Sequence, residues 1–329
     1  MHNGTVTNRT DQNEQEPLTR RVCSFDMVPP PVQMQNEVVL SNGEIDVAVA
    51  RGFGPRVLAY GFRGSDNMFG SASGDFTTTK YGTWHPVGGH RLWTAPESDE
   101  SYAPDNNPVD CEVHGARSVS ATQKANVAGM CKQLHITLDQ SGTGVTVVHR
   151  ITNIGSAPVE LAPWALTILR AGGVAILPQE PYRPHTEEKL PARSLSLWGY
   201  TDLSDPRWRI GARFIRLTPD ASHASPQKLG VLNKQRWCAY YAGDELFIKL
   251  FPYNAHTAYP DYGCNNEVFT AGSFVELESL GPMVRLGRGD GVEHVERWHL
   301  HRGVDLGTTE ESIERVLTPL VMAAERRVD

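Results

Sequence analysis

Long apolar runs are missing from this chain of 329 residues, and no stretch approaches the roughly 20 apolar residues that a bilayer-spanning helix needs. The first residues are polar and lack the apolar centre of a signal peptide. We therefore predict a disordered leader over residues 1–22, followed by a single domain over residues 23–329. Basic residues do not outnumber acidic ones either, and the net charge of -7 disfavours nucleic acid and membrane surfaces as partners.

Closely spaced cysteines are also missing. The five cysteines are far apart, odd in number and never in a CxxC pattern: Cys23, Cys111, Cys131, Cys238 and Cys264. This distribution argues against a zinc ribbon and against a disulfide scaffold. It is typical of a protein in a reducing compartment, so we predict a cytoplasmic location.

Helical periodicity is nearly absent before the C-terminus. Instead, short alternating or apolar runs recur between turn residues, as the 30 glycines and 22 prolines also indicate. "LSNGEI" and "DQSGTG" are typical of hairpin turns. Residues 307–328 predict one helix, with Thr308 and Glu311 as its capping box and an apolar stripe through Ile313 and Leu317. The pattern predicts an all-β sandwich or barrel with one C-terminal helix.

The densest polar and aromatic stretch is "TWHPVGGHRLWTAPE", residues 83–97. Its paired glycines permit tight turns that bring polar side chains together, and its candidate residues are His90, Arg91, Trp93 and Glu97. Arginine and histidine can bind sugar hydroxyls, and an indole can stack on the apolar face of a sugar ring. The alternative is structural: His90 and Arg91 pair with carboxylates while the tryptophans fill the core.

Two glutamates lie side by side in "FVELESLGP", residues 274–282. Read as a strand, this stretch places Glu276 and Glu278 on one face, together with Phe274. A solvated face is one interpretation. The other is a pair of carboxylates facing a substrate, because mutual repulsion and burial raise a carboxyl pKa toward the range of a general base.

Three further stretches carry single candidates. "APWALTILRAGGVAILP" contains Trp164, which either meets a ligand or packs in the core. "YPDYGCNNEVF" contains Asp261 together with Asn265, Asn266 and Glu267 as polar candidates, although turn chemistry accounts for most of this stretch. "WHLH" places His299 and His301 on one strand face at metal-ligand spacing, without naming further ligands. A metal-dependent enzyme of cupin type is therefore an alternative to a sugar-active protein.

Several of these segments together resemble the galactose mutarotase-like superfamily: "GGHRLWTAPE", "TNIGSAPVELAPWALTILRAGG", "YPDYGCNNEVF" and "FVELESLGPMVRLGRGDGVEHVERWHL". The resemblance runs from about residue 35 to 305, and is most specific in the last segment. It implies a β-supersandwich of large antiparallel sheets with the sugar site on a concave sheet. It also implies Glu278 as catalytic base with Glu276 as substitute, and Arg91 and Asp261 as sugar-binding residues.

The resemblance has one clear departure. The family's "NHxYFNL" stretch carries the histidine that acts as acid, and by chain order Trp164 stands at that place here. We therefore assign the acid to His90, and add Trp93, Trp164 and Glu97 to the substrate-binding residues. The expected function is an aldose 1-epimerase-like isomerase that binds a sugar or sugar-derived molecule without cofactor or metal. The alternative on the same fold is a non-catalytic carbohydrate-binding protein.

Overall fold

Two stacked antiparallel sheets of ten strands each form the framework of the computed structural model, which describes residues 36–71 and 76–326. The predicted leader over residues 1–22 lies outside the described residues, and the domain bounds 23–329 stay a prediction. In the described part of the chain, no helix is long and apolar enough to cross a membrane.

The first sheet contains the strands that carry most of the predicted site. In order across the sheet, they are β1 (Glu37–Ser41), β2 (Ile45–Ala50), β3 (Arg56–Phe62), β6 (His90–Ala95), β11 (Val159–Leu169), β20 (Val275–Leu280), β19 (Asn266–Thr270), β16 (Gln227–Val231) and β13 (Leu195–Leu197). A tenth strand, β21 (Val284–Leu286), pairs with β11 beside this path.

The second sheet covers one face of the first. Its strands, in order, are β14 (Trp208–Ile210), β15 (Phe214–Leu217), β12 (Gly173–Pro178), β17 (Trp237–Ala242), β18 (Glu245–Leu250), β22 (Gly291–His301), β10 (Val145–Asn153), β9 (Met130–Leu138), β8 (Ser118–Thr122) and β7 (Asp110–Val113). A small separate ribbon joins β4 (Thr77–Thr79) to β5 (Gly82–Trp84).

Alternating side chains build the core between the sheets. In β9 and β10 every second residue is fully or almost fully buried, as the period of an extended strand requires. The two predicted hairpins are present, since β1 pairs with β2 and β9 pairs with β10. The predicted all-β sandwich is therefore confirmed.

The C-terminal helix α2 (Glu310–Glu325) covers the outer face of the second sheet. Its buried side chains Ile313, Leu317 and Val321 follow helical spacing, as the sequence predicts. The capping box lies one residue later than predicted: Thr309 caps Ser312, and Ser312 reaches back to Thr309. Glu311, which the sequence predicts in the capping box, forms an ion pair with Arg213 instead.

Candidate active site

One face of the first sheet gathers nearly all of the predicted site residues. The register pairs Trp93 with Trp164, Arg91 with Leu166, and Leu166 with Glu278 across β6, β11 and β20. On β19, Glu267 lies opposite Glu278. Residues between these positions, such as Thr167 and Ser279, point the other way and bond to the second sheet. The predicted residues thus lie on the face turned away from the second sheet, which we call the site face.

A lysine that the sequence analysis did not select lies at the centre of the site face. Lys228, on β16, places its Nζ 2.8 Å from Glu267 Oε2 and 3.0 Å from Glu278 Oε2. The same ammonium lies 4.5 Å from the ring centre of Trp164 and 4.8 Å from that of Trp198. Two carboxylates and two indoles therefore hold one cation in place.

The charges of this cluster are strongly perturbed. Burial alone would lower the pKa of Lys228, but Glu267 and then Glu278 outweigh it and raise that pKa well above its usual value. Burial raises the pKa of Glu267 well above its usual value, although Lys228 opposes the rise. The charges of Glu278 and Asp261 add to it. The lysine therefore stays charged, and its surroundings favour the protonated form of Glu267.

Arg91 and Glu276 form a second ion pair beside the first. Arg91 Nη2 donates to both carboxylate oxygens of Glu276, at 3.1 and 3.3 Å. The guanidinium lies over Trp93 at 4.4 Å and over Trp84 at 5.4 Å from the ring centres. Burial raises the pKa of Glu276, against the opposing charge of Arg91. The stacking and the ion pair through Nη2 hold the guanidinium in place.

Trp164 bonds directly to the predicted base. Its Nε1 donates to Glu278 Oε2 at 2.8 Å, and its ring meets Trp93 edge-on at 5.6 Å. Trp93 in turn meets the ring of Tyr102, whose hydroxyl donates to Glu97 Oε1 at 2.6 Å. Trp164, Trp93 and Glu97 are therefore part of one connected layer around the carboxylates.

Asp261 lies in α1 (Pro260–Gly263), a single turn next to Glu267. Asp261 and Tyr262 both have left-handed backbone angles, with φ of 52° and 62°, a conformation that costs free energy for residues other than glycine. The Asp261 carbonyl accepts from Ser196 Oγ at 2.8 Å, which ties the turn to β13. The turn brings the Asp261 carboxylate close enough to raise the pKa of Glu267.

A glycine makes room for this arrangement. A Cβ at Gly230 would lie 2.5 Å from Cys264 Sγ and 3.2 Å from Glu267 Cγ. A side chain at this position would therefore collide with Cys264 and press against the side chain of Glu267.

Within the described residues, several buried polar atoms of the site face have no hydrogen-bond partner. They are Glu267 Oε1 and Oε2, Glu278 Oε1, Arg91 Nε, Arg91 Nη1 and Trp84 Nε1. Such atoms cost about 1–3 kcal/mol each when nothing binds them. The cluster is also closed, because Glu267 and Glu278 are fully buried and the side chain of Glu276 is only 11% exposed. A ligand with hydroxyl groups would satisfy these atoms, provided that a covering side chain moves.

His90 does not join this group, so its assignment as acid is corrected. Since His90 and Arg91 are neighbours on β6, they point to opposite faces. His90 lies between the sheets, with Nδ1 2.8 Å from Thr167 Oγ1 and Nε2 2.6 Å from His149 Nε2. Burial, followed by the charges of His149 and Lys249, holds the pKa of His90 well below its usual value. It is a neutral core histidine on the wrong side of the sheet.

The atoms around His90 form a continuous hydrogen-bond chain. His149 Nδ1 lies 2.9 Å from the His294 carbonyl oxygen, so this nitrogen carries the proton and Nε2 accepts from His90. His90 Nδ1 then accepts from Thr167, whose oxygen accepts from Lys249 Nζ at 2.7 Å. Every ring nitrogen of His90 and His149 has a partner of matching polarity in this arrangement.

One group of residues in this interior has the composition of a metal site. The ligand atoms of His90, His149 and Glu296 lie within 4.8 Å of one another. However, Lys249 Nζ lies 3.0 Å from Glu296 Oε1, so the carboxylate already balances a buried cation. The hydrogen-bond chain and this ion pair account for the group without a metal ion.

The predicted alternative pair, His299 and His301, does not lie with that group. On β22 they alternate with Glu296 and Trp298, so they point to the outer face of the second sheet. The structure therefore does not assemble a cupin-type site from His299 and His301 with the interior histidines.

Sequence reasoning missed Lys228, and it did not distinguish Glu267 from the other polar candidates of its stretch. The stretches "NEVF" and "PQKLGV" read as ordinary strands, which contain Glu267 and Lys228 respectively. Neither stretch shows which strands become neighbours. The order β20-β19-β16 supplies that information, and only the folded chain contains it.

Comparison with solved structures identifies the architecture. A galactose mutarotase-like protein from Lactobacillus casei matches 80% of this chain and 100% of its own, with 13% identity and a TM-score of 0.52. A proposed mutarotase from Salmonella typhimurium matches 84% and 97%, with 10% identity and a TM-score of 0.54. An aldose epimerase homologue from C. elegans matches 82% and 99%, with 9% identity and a TM-score of 0.50.

No family model and no curated protein matches the chain. The identities of 9–13% establish the fold alone. At that level the comparisons confirm the resemblance in fold: the chain has the galactose mutarotase-like fold.

Proposed function

We propose that the chain is a carbohydrate-active protein of aldose 1-epimerase type, with Glu278 as general base. The observation that carries the proposal is the hydrogen bonding of the two oxygens of the Glu278 carboxylate. Its Oε2 accepts from Trp164 and Lys228, while its Oε1 is buried without a hydrogen-bond partner. The two donors stabilise negative charge on the group, and the free oxygen is available to take a proton from an anomeric hydroxyl.

The other groups of the site face support a neutral sugar as the substrate class. Arg91 has two buried nitrogen atoms without partners, which can donate to sugar hydroxyls, and the neighbouring indoles can stack on a ring. Both cations, Arg91 and Lys228, are already paired with carboxylates. A phosphate group would therefore meet compensated positive charge and nearby acidic groups, which disfavours a sugar phosphate.

Access to Glu278 requires movement of a covering side chain, and we propose Trp198 for this role. Its indole packs over Lys228 at 4.8 Å, and Trp198 is only half-buried. It follows β13, a three-residue edge strand. Such a short edge segment can move with little loss of sheet hydrogen bonding.

The test is anomer exchange of a panel of neutral aldoses, followed by NMR together with binding titrations. We expect Glu278→Gln to lower the exchange rate about 10²–10⁴-fold while sugar still binds. Glu112→Gln is the matched control, because Glu112 is an exposed glutamate on β7, in the other sheet. Full exchange activity in Glu278→Gln would remove the assignment of the base.

A non-catalytic carbohydrate-binding protein is the second candidate, and one observation favours it. Trp164 occupies the position that the resemblance gives to the acid histidine, and an indole N–H does not exchange its proton as an acid. Saturable sugar binding without any acceleration of exchange by the unmodified protein would support this second function.

A further inference from the structure

The site face contains a second carboxyl group placed like the first. Glu267 and Glu278 are register partners on β19 and β20, so their side chains leave neighbouring strands on the same face. Lys228 Nζ contacts Oε2 of both residues, at 2.8 and 3.0 Å. Oε1 of both residues is buried without a hydrogen-bond partner. The oxygen on the side away from the lysine is therefore available on each carboxyl group.

The partners of these two groups differ in one respect. Glu278 has Trp164 Nε1 as a second donor, 2.8 Å from Oε2. Among the residues that the structure describes, none donates a hydrogen bond to Glu267, whose Oε2 lies within ion-pair distance of Lys228 Nζ. Because a single ammonium cannot balance two fully buried carboxylates, one carboxyl group holds a proton. Glu278 has two hydrogen-bond donors that stabilise a negative charge, so Glu278 is the ionised group and Glu267 carries the proton.

We propose that Glu267 is the proton donor that complements Glu278, in place of the histidine that Trp164 replaces. This proposal rests on the aldose 1-epimerase function proposed above. Side chains of paired residues on adjacent strands are about 5 Å apart. The anomeric hydroxyl oxygen and the ring oxygen of an aldose are bonded to the same carbon. Two carboxyl groups at this spacing can therefore take a proton from one of these oxygens and give a proton to the other.

The proton balance of the step is complete with these two residues. Glu278 takes the proton of the anomeric hydroxyl, the bond from the anomeric carbon to the ring oxygen breaks, and Glu267 gives its proton to that oxygen. The product is the open-chain aldehyde. After rotation about the bond to the carbonyl carbon, the hydroxyl oxygen released from the ring attacks the opposite face of that carbon and re-forms the C–O bond. It returns its proton to Glu267, while Glu278 gives its proton to the carbonyl oxygen, which becomes the new anomeric hydroxyl. No cofactor takes part, and both residues return to their starting states.

The charged groups around Glu267 favour its protonated form. Lys228 faces it from β16, Glu278 from β20 and Asp261 from the α1 turn, while Glu97 acts on Lys228 from beyond the end of β6. Burial raises the pKa of Glu267 well above its usual value, with the charges of Glu278 and Asp261 adding to the rise. The exchange rate should therefore fall as pH rises through this raised value, because Glu267 then loses the proton that it must donate.

The test compares Glu267→Gln, Glu267→Asp and Glu276→Gln in the anomer-exchange assay over a range of pH. Glutamine keeps the neutral shape of the protonated group but has no acidic proton, so we expect kcat to fall about 10²–10⁴-fold with little change in KM. Aspartate keeps a titratable group, and should retain partial activity and the fall at high pH. Glu276→Gln is the matched carboxyl control on the same face, and should raise KM while keeping the fall at high pH.

The outcomes separate this inference from the proposed function. If the unmodified protein and Glu267→Gln exchange anomers at similar rates while Glu278→Gln does not, Glu267 is not the donor and only this inference fails. The inference also fails if residual activity in Glu267→Gln keeps the same fall at high pH. If Glu267→Gln does not fold, Glu267→Asp decides through its pH profile. If the unmodified protein binds a sugar but does not accelerate the exchange of its anomers, the proposed function itself fails.

Discussion

Lys228 offers the sharpest test of the charge balance on the site face. In Lys228→Met the buried carboxyl groups of Glu267 and Glu278 lose their common cation, while a chain of similar length still fills the space. Removing one partner of a buried ion pair costs about 3–5 kcal/mol in the free energy of unfolding. We expect a loss of that size at pH 7.5, measured by guanidinium unfolding.

The pH dependence of this loss has a definite sign. A carboxyl group whose pKa is raised in the folded protein destabilises it when ionised, and this cost disappears as pH falls below the raised value. The loss in Lys228→Met should therefore shrink between pH 7.5 and pH 5.5, and Glu267→Gln in the same chain should restore part of the stability. Lys80→Met is the matched control, since Lys80 pairs with Glu100 at the surface, and should leave stability unchanged. A loss no larger than that of the control, or a loss independent of pH, would refute the charge balance described here.

Two further perturbations test the layers around this cluster. Burial holds the pKa of His149 and that of His294 at about 3, so the unfolded chain binds protons below about pH 6.5 that the folded chain does not. Each histidine should therefore lower the unfolding free energy by about 1.4 kcal/mol between pH 7.5 and 5.5. Because the raised pKa of Glu267 acts in the opposite direction, the effect is measured as the difference in pH dependence between the unmodified protein and its His149→Gln or His294→Gln variant; an equal pH dependence in protein and variant would contradict the burial of these residues as neutral rings. In Trp164→Phe, Glu278 loses the 2.8 Å bond from Nε1, which should lower stability by about 1–3 kcal/mol and slow anomer exchange; an unchanged unfolding midpoint and rate would show that the bond has no role.

Alternation along single strands predicted much of the site face. Because side chains alternate in a strand, the sequence correctly placed Glu276 and Glu278 on one face. The same rule should have separated His90 from Arg91, which are neighbours in the chain. His90 lies between the sheets against His149, so its assignment as the acid was wrong.

Pairing between distant strands could not be predicted in the same way. Lys228 is 39 residues before Glu267 in the chain, and both look like ordinary strand residues in sequence. Their contact depends on the sheet order β20-β19-β16, which is a product of tertiary packing. The burial of the cluster also follows from neighbours on other strands, chiefly the indoles over Lys228. A solvated glutamate face and a buried one therefore look alike in sequence.

The most direct test of the central claim is the rate of anomer exchange measured by NMR on one neutral aldose that the protein binds. The account predicts that the unmodified chain accelerates exchange in proportion to its concentration, and that Glu278→Gln binds the same sugar without accelerating it. Exchange at the same rate in both proteins, or no acceleration by the unmodified chain, would contradict the claim that Glu278 on the site face is a catalytic base.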